Sequence, residues 1–309
     1  MANSYGGQAL IEGVMMRGKH TQAMCARLED GRIVSEVEEF TLLSQRNKFF
    51  ALPLVRGVCS MIDSLVSGMQ AIVWSTNVSL AEDEEEEELT PMEIAITLII
   101  SIGLGVLLFF LLPMIIGGFF DRWVKSNVAI CLIEGLVRMA IFLAYMIAVS
   151  RMKEMKRLFS YHGAEHKTIR CYEAGLPLTV ENVRAQTRLH PRCGTSFLLV
   201  VMILSILIFS VASSVLLALV PGLEAMRGTF LYRLIMILFK LLLLPLVVSV
   251  AYECNRWVGR HDNALSRVLT APGMWFQYFT TNEPDDSMIE VGIAAVKAVL
   301  PEQEGADRW

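Results

Sequence analysis

Charge is scarce in this sequence. Asp, Glu, Lys and Arg make up 19% of its 309 residues, whereas soluble domains carry roughly 25%. Apolar residues reach 54%, with a mean hydropathy of +0.50, and they gather into blocks long enough to cross a bilayer. A soluble globular enzyme is excluded on that ground, as is a disordered or fibrous chain. A basic stripe with interleaved aromatics is also missing, so nucleic acid is not an expected partner. The six cysteines (Cys25, Cys59, Cys131, Cys171, Cys193 and Cys254) form no CxxC pair and no framework spacing. They fit a reducing compartment or burial among membrane helices better than disulfides. No secretory leader is expected, because Glu12 falls where a signal peptide needs its apolar run.

The net charge of −4 is local. Residues 82–88 read EDEEEEE, a like-charge run that is normally solvated and disordered, and the remainder is slightly basic. Residues 1–48 read as a small cytoplasmic β-containing module, in which AMCARL and IVSEVEEF flank the hairpin signal Asp30-Gly31. Glycines 6, 7, 13 and 18 fit no phosphate-loop pattern and are expected to make tight turns packed against something. Residues 49–78 carry an apolar stripe (Leu54, Val58, Met61, Leu65, Met69, Ile72) opposite Arg56, Asp63 and small residues. That pattern favours an amphipathic interfacial helix over a fifth span. An acidic disordered linker, 79–91, comes next.

Four transmembrane helices are expected at about 92–118, 128–150, 196–220 and 229–251. They form hairpins over 92–150 and 196–251, separated by the loop 151–195. That loop holds Arg151, Lys153, Lys156, Arg157, Lys167, Arg170, Arg184, Arg188 and Arg192, while the connections at 119–127 and 221–228 carry few cations. The positive-inside rule places the loop, and with four spans both termini, in the cytoplasm. The tail 252–309 reads as soluble: a short helix near Asn263–Leu269, an aromatic segment, then a docking helix striped with Ile289, Ile293, Val296, Val299 and Leu300. The expected class is a mainly α polytopic membrane helical bundle of about four transmembrane helices, with a small N-terminal β-hairpin module and a cytoplasmic helical loop and tail.

Chemistry concentrates in the cytoplasmic loop. The segment YHGAEHKTIRCYEAG, residues 161–175, follows RMKEMKRLF, which continues the second span with helix-forming residues, and Gly175 is a natural stop. On one helix His162, Glu165 and His166 stand at i, i+3 and i+4 and share a face. Two histidines one turn apart can take one metal ion, zinc by preference, and a carboxylate beside them can accept a proton from water. This is the inverted zincin spacing H-x-x-E-H. A further ligand is needed. His190 and Cys193, in HPRCGTSF just before the third span, lead Glu253 at the end of the fourth, while Glu173 lies two turns along the same helix. A closed structural set of His162, His166, His190 and Cys193 is sterically plausible. A nucleophilic Cys193 explains the same residues less economically. Within the second span Glu134 and Arg138 stand at i, i+4, and such intramembrane charges read as an internal ion pair or as a proton or substrate path. Arg233 and Lys240 flank or enter the fourth span, and Lys240 is an alternative partner for Glu134.

GGQALIEGVMMRG, YHGAEHKTI, HPRCGTSF and APGMWFQYFTTNEPDDSMIEVGIAA together resemble the YqhQ-like bacterial membrane proteins, over nearly the whole chain except 81–90. The resemblance implies a bacterial inner (plasma) membrane location and a metal-dependent enzyme, without naming a reaction. The combined expectation is a multi-pass membrane protein with a zinc site at the cytoplasmic surface. His162, His166 and His190 or Cys193 would be its ligands and Glu165 its general base, acting on a peptide or lipid at the interface. A scaffold with a structural metal is the main alternative, and a transporter the more distant one.

Overall fold

The computed structural model describes residues 5–18, 20–81, 90–120, 123–261 and 263–300. The acidic run at 82–88 lies outside them. The N-terminal segment forms a four-stranded antiparallel meander: β1 (Gly6–Leu10), β2 (Gly13–Arg17), β3 (Thr21–Arg27) and β4 (Ile33–Glu39), in the order β1-β2-β3-β4. Asp30-Gly31 turns β3 into β4 as the sequence indicates, with Gly31 at φ +87°. The glycine-rich stretch expected to make only tight turns instead makes a second hairpin. Its turn holds Glu12 at φ 52°, fixed by an ion pair to Arg157 and by the Tyr161 hydroxyl, which donates at 3.2 Å.

Helices complete the frame. They begin with α1 (Leu43–Arg46) and α2 (Val55–Leu80). Residues 91–120 form one rod, made of α3 (Pro91–Val106), a π-helical turn over Leu107–Leu111 and α4 (Leu112–Phe120). Then come α5 (Asn127–Val149), α6 (Lys153–Glu173), α7 (Val180–Arg184), α8 (Gly194–Leu219), α9 (Pro221–Ala225) and α10 (Phe230–Val258). The chain closes with α11 (Ala264–Thr280) and α12 (Asp286–Val299). Among the described residues five helices are long and apolar enough to cross a membrane: α2, the 91–120 rod, α5, α8 and α10. α2 is the least apolar of them, at a mean hydropathy of 1.2 against 2.0 to 2.8.

The inner strands β2 and β3 are buried on both faces, to which their side chains point alternately. Val14, Met16, Ala23 and Cys25 pack on α6 and α12, while Leu10, Met15 and Met24 pack on Ala71 and Trp74 of α2. α2 also meets α10 near the latter's C-terminal end: a Cβ on Gly57 would lie 2.8 Å from the Ser249 Cα, and Arg56 pairs with Glu253. Glu253 is thereby committed to α2 and does not reach the histidines.

Two expectations are corrected. Ser150 to Met152 break the helix, so α6 is not a continuation of the second span. Nor does the short helix end near Leu269: α11 is one helix that runs through Pro272 to Thr280, opened by an Asn263–Ser266 capping box.

Within the helices, Arg138 does not pair with Glu134. Pro113 has no N–H to give the Phe109 carbonyl four residues back, and Arg138 Nε donates to that carbonyl at 2.7 Å. Its guanidinium also lies 5.2 Å and 5.4 Å from the Phe110 and Phe209 ring centres. Glu134 pairs with Lys240, the alternative that the sequence left open.

Candidate metal centre

α6 brings His162, Glu165 and His166 to one face and ends at Gly175, φ +68°, in a Schellman closure. Gly175 N–H donates to Tyr172 O and Leu176 N–H to Cys171 O. The helix lies hard against the segment that follows α11. A Cβ on Gly163 would fall 2.0 Å from Asn282 O, and Asn282 N–H donates to Phe159 O at 2.8 Å. Only glycine permits that approach, which sets the Thr280 carbonyl beside His162.

Both imidazoles are fixed by backbone. His162 Nδ1 donates to Thr280 O at 2.7 Å, and His166 Nδ1 donates to Arg188 O at 2.5 Å. A carbonyl can only accept, so each ring carries a proton on Nδ1 and, in its neutral form, presents the Nε2 lone pair. Such orientation through the second nitrogen is the usual accompaniment of a ligating histidine. Cys193 faces these nitrogens, its Sγ 3.3 Å from His162 Nε2. The ligand atoms of His162, His166 and Cys193 all lie within 4.8 Å of one another. Glu165 Oε2 flanks the pair, 3.9 Å from His162 Nε2 and 3.5 Å from His166 Nε2.

Of the two leading further ligands, Cys193 joins the group. His190 stands alongside, its ring centre 5.6 Å from that of His166, with Nε2 turned 3.3 Å from Glu173 Oε2. Glu173 also pairs with Arg192. Both Glu173 and His190 therefore belong to the wall of the site. A closed set containing His190 is not assembled in this arrangement.

Three positioning residues escaped sequence reasoning. Gln277, fully buried on α11, accepts from His190 N–H at 2.7 Å and donates to His190 O at 2.7 Å and Ser196 Oγ at 2.8 Å. It thus clamps the turn that carries Cys193. Thr280 supplies the carbonyl for His162. Gly7 on β1 sends its backbone N–H to the Glu165 carboxyl, and a Cβ there would lie 2.7 Å from Glu165 Cγ. A lone glutamine inside MWFQYF and a paired glycine in a β-hairpin were the available signals.

Replacing Gln277 by Leu strands a buried N–H and a buried carbonyl of His190. The expected loss is about 2–4 kcal/mol of unfolding free energy, read by denaturant titration in detergent. A change below about 0.5 kcal/mol would show the clamp to be dispensable.

Burial pushes the Glu165 carboxyl above its usual range, opposed by His162, His190 and the Gly7 N–H. Burial also depresses the His166 and His190 imidazoles. Among the described residues no lysine or arginine pairs with Glu165. The cluster therefore gathers two imidazole Nε2 atoms, the Cys193 sulfur and a carboxyl with no lysine or arginine partner among the described residues. This donor set fits zinc, and a cation there would supply the missing charge.

A family model described as "Protein of unknown function (DUF1385)" matches residues 52–302. The chain is also 32% identical to "Uncharacterized protein YqhQ" of Bacillus subtilis (strain 168), over 96% of its own length and 92% of that protein's. No solved structure matches it. The chain belongs to the DUF1385 family, in agreement with the resemblance drawn from its motifs.

Proposed function

We propose that this chain is a polytopic membrane protein with a zinc centre on its cytoplasmic side, acting as a hydrolase on amide or ester bonds of a peptide or lipid at the membrane surface. One observation carries the reading: His162 and His166, each tied through Nδ1 to a backbone carbonyl, aim Nε2 at Cys193 Sγ with Glu165 alongside. His162, His166 and Cys193 would hold the ion. When bound, it supplies Lewis acidity and the positive charge that lets buried Glu165 ionise. Glu165 is then placed to take a proton from the attacking water, and the N–H of Gly7 orients its carboxylate. Three protein ligands leave a fourth position for substrate or solvent.

Four crossings are supported by contacts on the near side. The N-terminal sheet packs on α6 and α12 and so shares a side with both. An even number of helices must then cross between Phe40 and Lys153, where three are apolar enough. α2 is the one that stays at the surface, since it carries Arg56 and Asp63 and packs along the sheet. The nine cations of 151–195 support a cytoplasmic location for that side and for both termini.

Burial of Glu165, His166 and Cys193 favours a second reading, a structural clip that ties the loop to the bundle. Glu165→Gln separates the two. The hydrolase reading expects full zinc content with at least about a hundredfold loss of turnover on ester and amide probes in mixed micelles. Zinc and turnover both unchanged would remove the general-base role.

A further inference from the structure

We infer that the outward face of α11 is inserted among the acyl chains of the leaflet beside the zinc-ligand cluster, so that the cluster lies at the lipid surface. The helix has one charged residue, Arg267, in its 17 positions. Its inner face, with Ser266, Gly273, Phe276, Gln277 and Thr280, is buried against the protein. The opposite face is apolar as well: Val268 is 68% exposed and Trp275 55%, with Leu265, Leu269 and Tyr278 beside them. Such a strip runs about 20 Å along the helix, more than water tolerates on a monomer without a partner.

What covers it follows from where α11 sits. Gly273 rests on Ser196 and Phe276 packs with Leu199, both in the first two turns of α8. The Phe276 ring lies 5.3 Å from Phe142, two turns from the end of α5. α11 therefore lies at the level where these two apolar helices end, and near those ends the helices expose apolar and aromatic residues of their own, Leu198 and Tyr145. Trp and Tyr at that depth suit the boundary between headgroups and chains. The cation–π contact of Arg188 with Tyr278 marks the polar margin. The same helix carries Gln277 and Thr280, so the surface that meets lipid also builds the ligand cluster. A substrate reaching the cluster then does so from the bilayer surface, a consequence that rests on the metal reading above. The insertion itself does not.

The test uses the full chain in phosphatidylcholine vesicles, with lipids brominated either near the carbonyl end or near the tip of the acyl chains. Wild type and Trp275→Phe are compared, and the emission lost in the variant reports Trp275. We expect that component to fall by about half with bromine near the carbonyl end, less with bromine at the tip, and to resist aqueous iodide. Quenching by iodide alone would overturn the inference. So would shielding from both quenchers, which would mean that a second copy covers the face. Val268→Trp in the wild-type chain reads the same surface by the emission it adds if Trp275→Phe is poorly expressed. Lipid quenching in a protein that binds no zinc would leave the insertion standing and remove the metal reading.

Discussion

Replacing Lys240 by Met is expected to cost about 3 kcal/mol of unfolding free energy, the largest loss foreseen for a single side chain away from the ligand cluster. Lys240 and Glu134 pair where their side chains are 3% and 9% exposed. Removing the cation leaves a carboxylate without a partner among apolar helices, a change that costs about 3–5 kcal/mol in buried pairs. The lower end applies because a cavity of about 30 Å³, lined by Glu134, Lys240, Ser213 and Tyr232, adjoins the pair. That is room enough for water to solvate the orphaned group. Glu134→Gln combined with Lys240→Met should recover most of the loss, since neither member is then an uncompensated charge. The measurement is unfolding in detergent for both single variants and the double. Single variants as stable as wild type would show that the pair does not hold α5 to α10.

Much of the fold was legible because long apolar runs report their own boundaries. The expected spans at 128–150 and 196–220 stand beside helices at Asn127–Val149 and Gly194–Leu219. The ligand face of α6 was equally plain, since i, i+3, i+4 spacing fixes a shared side on any helix. What local sequence did not carry was tertiary in origin. The β1–β2 turn seats Glu12 at a positive φ that glutamate rarely adopts, held there by Arg157 and Tyr161 from a helix far along the chain. Pro272 is a usual helix breaker, yet Gly273 and Phe276 gain close packing on α8 only if the helix continues. Between His190 and Cys193 the spacing was silent. The choice is made by Gln277, which grips the His190 backbone and leaves Cys193 at the head of α8, facing His162. Glu253 was a fair candidate by its position near the rim, and Arg56 takes it instead.

The central claim is that His162, His166 and Cys193 converge in order to hold a metal. Its consequence is all-or-none, because removing two of three ligands leaves a lone thiol that cannot retain zinc at micromolar concentrations. Metal analysis of detergent-purified wild type beside the His162→Ala, His166→Ala double variant tests it directly. The account predicts about one zinc per chain in the wild type and almost none in the variant, with both proteins folded by circular dichroism. A wild type that holds no metal after zinc supplementation, or a double variant that holds as much as the wild type, would contradict it.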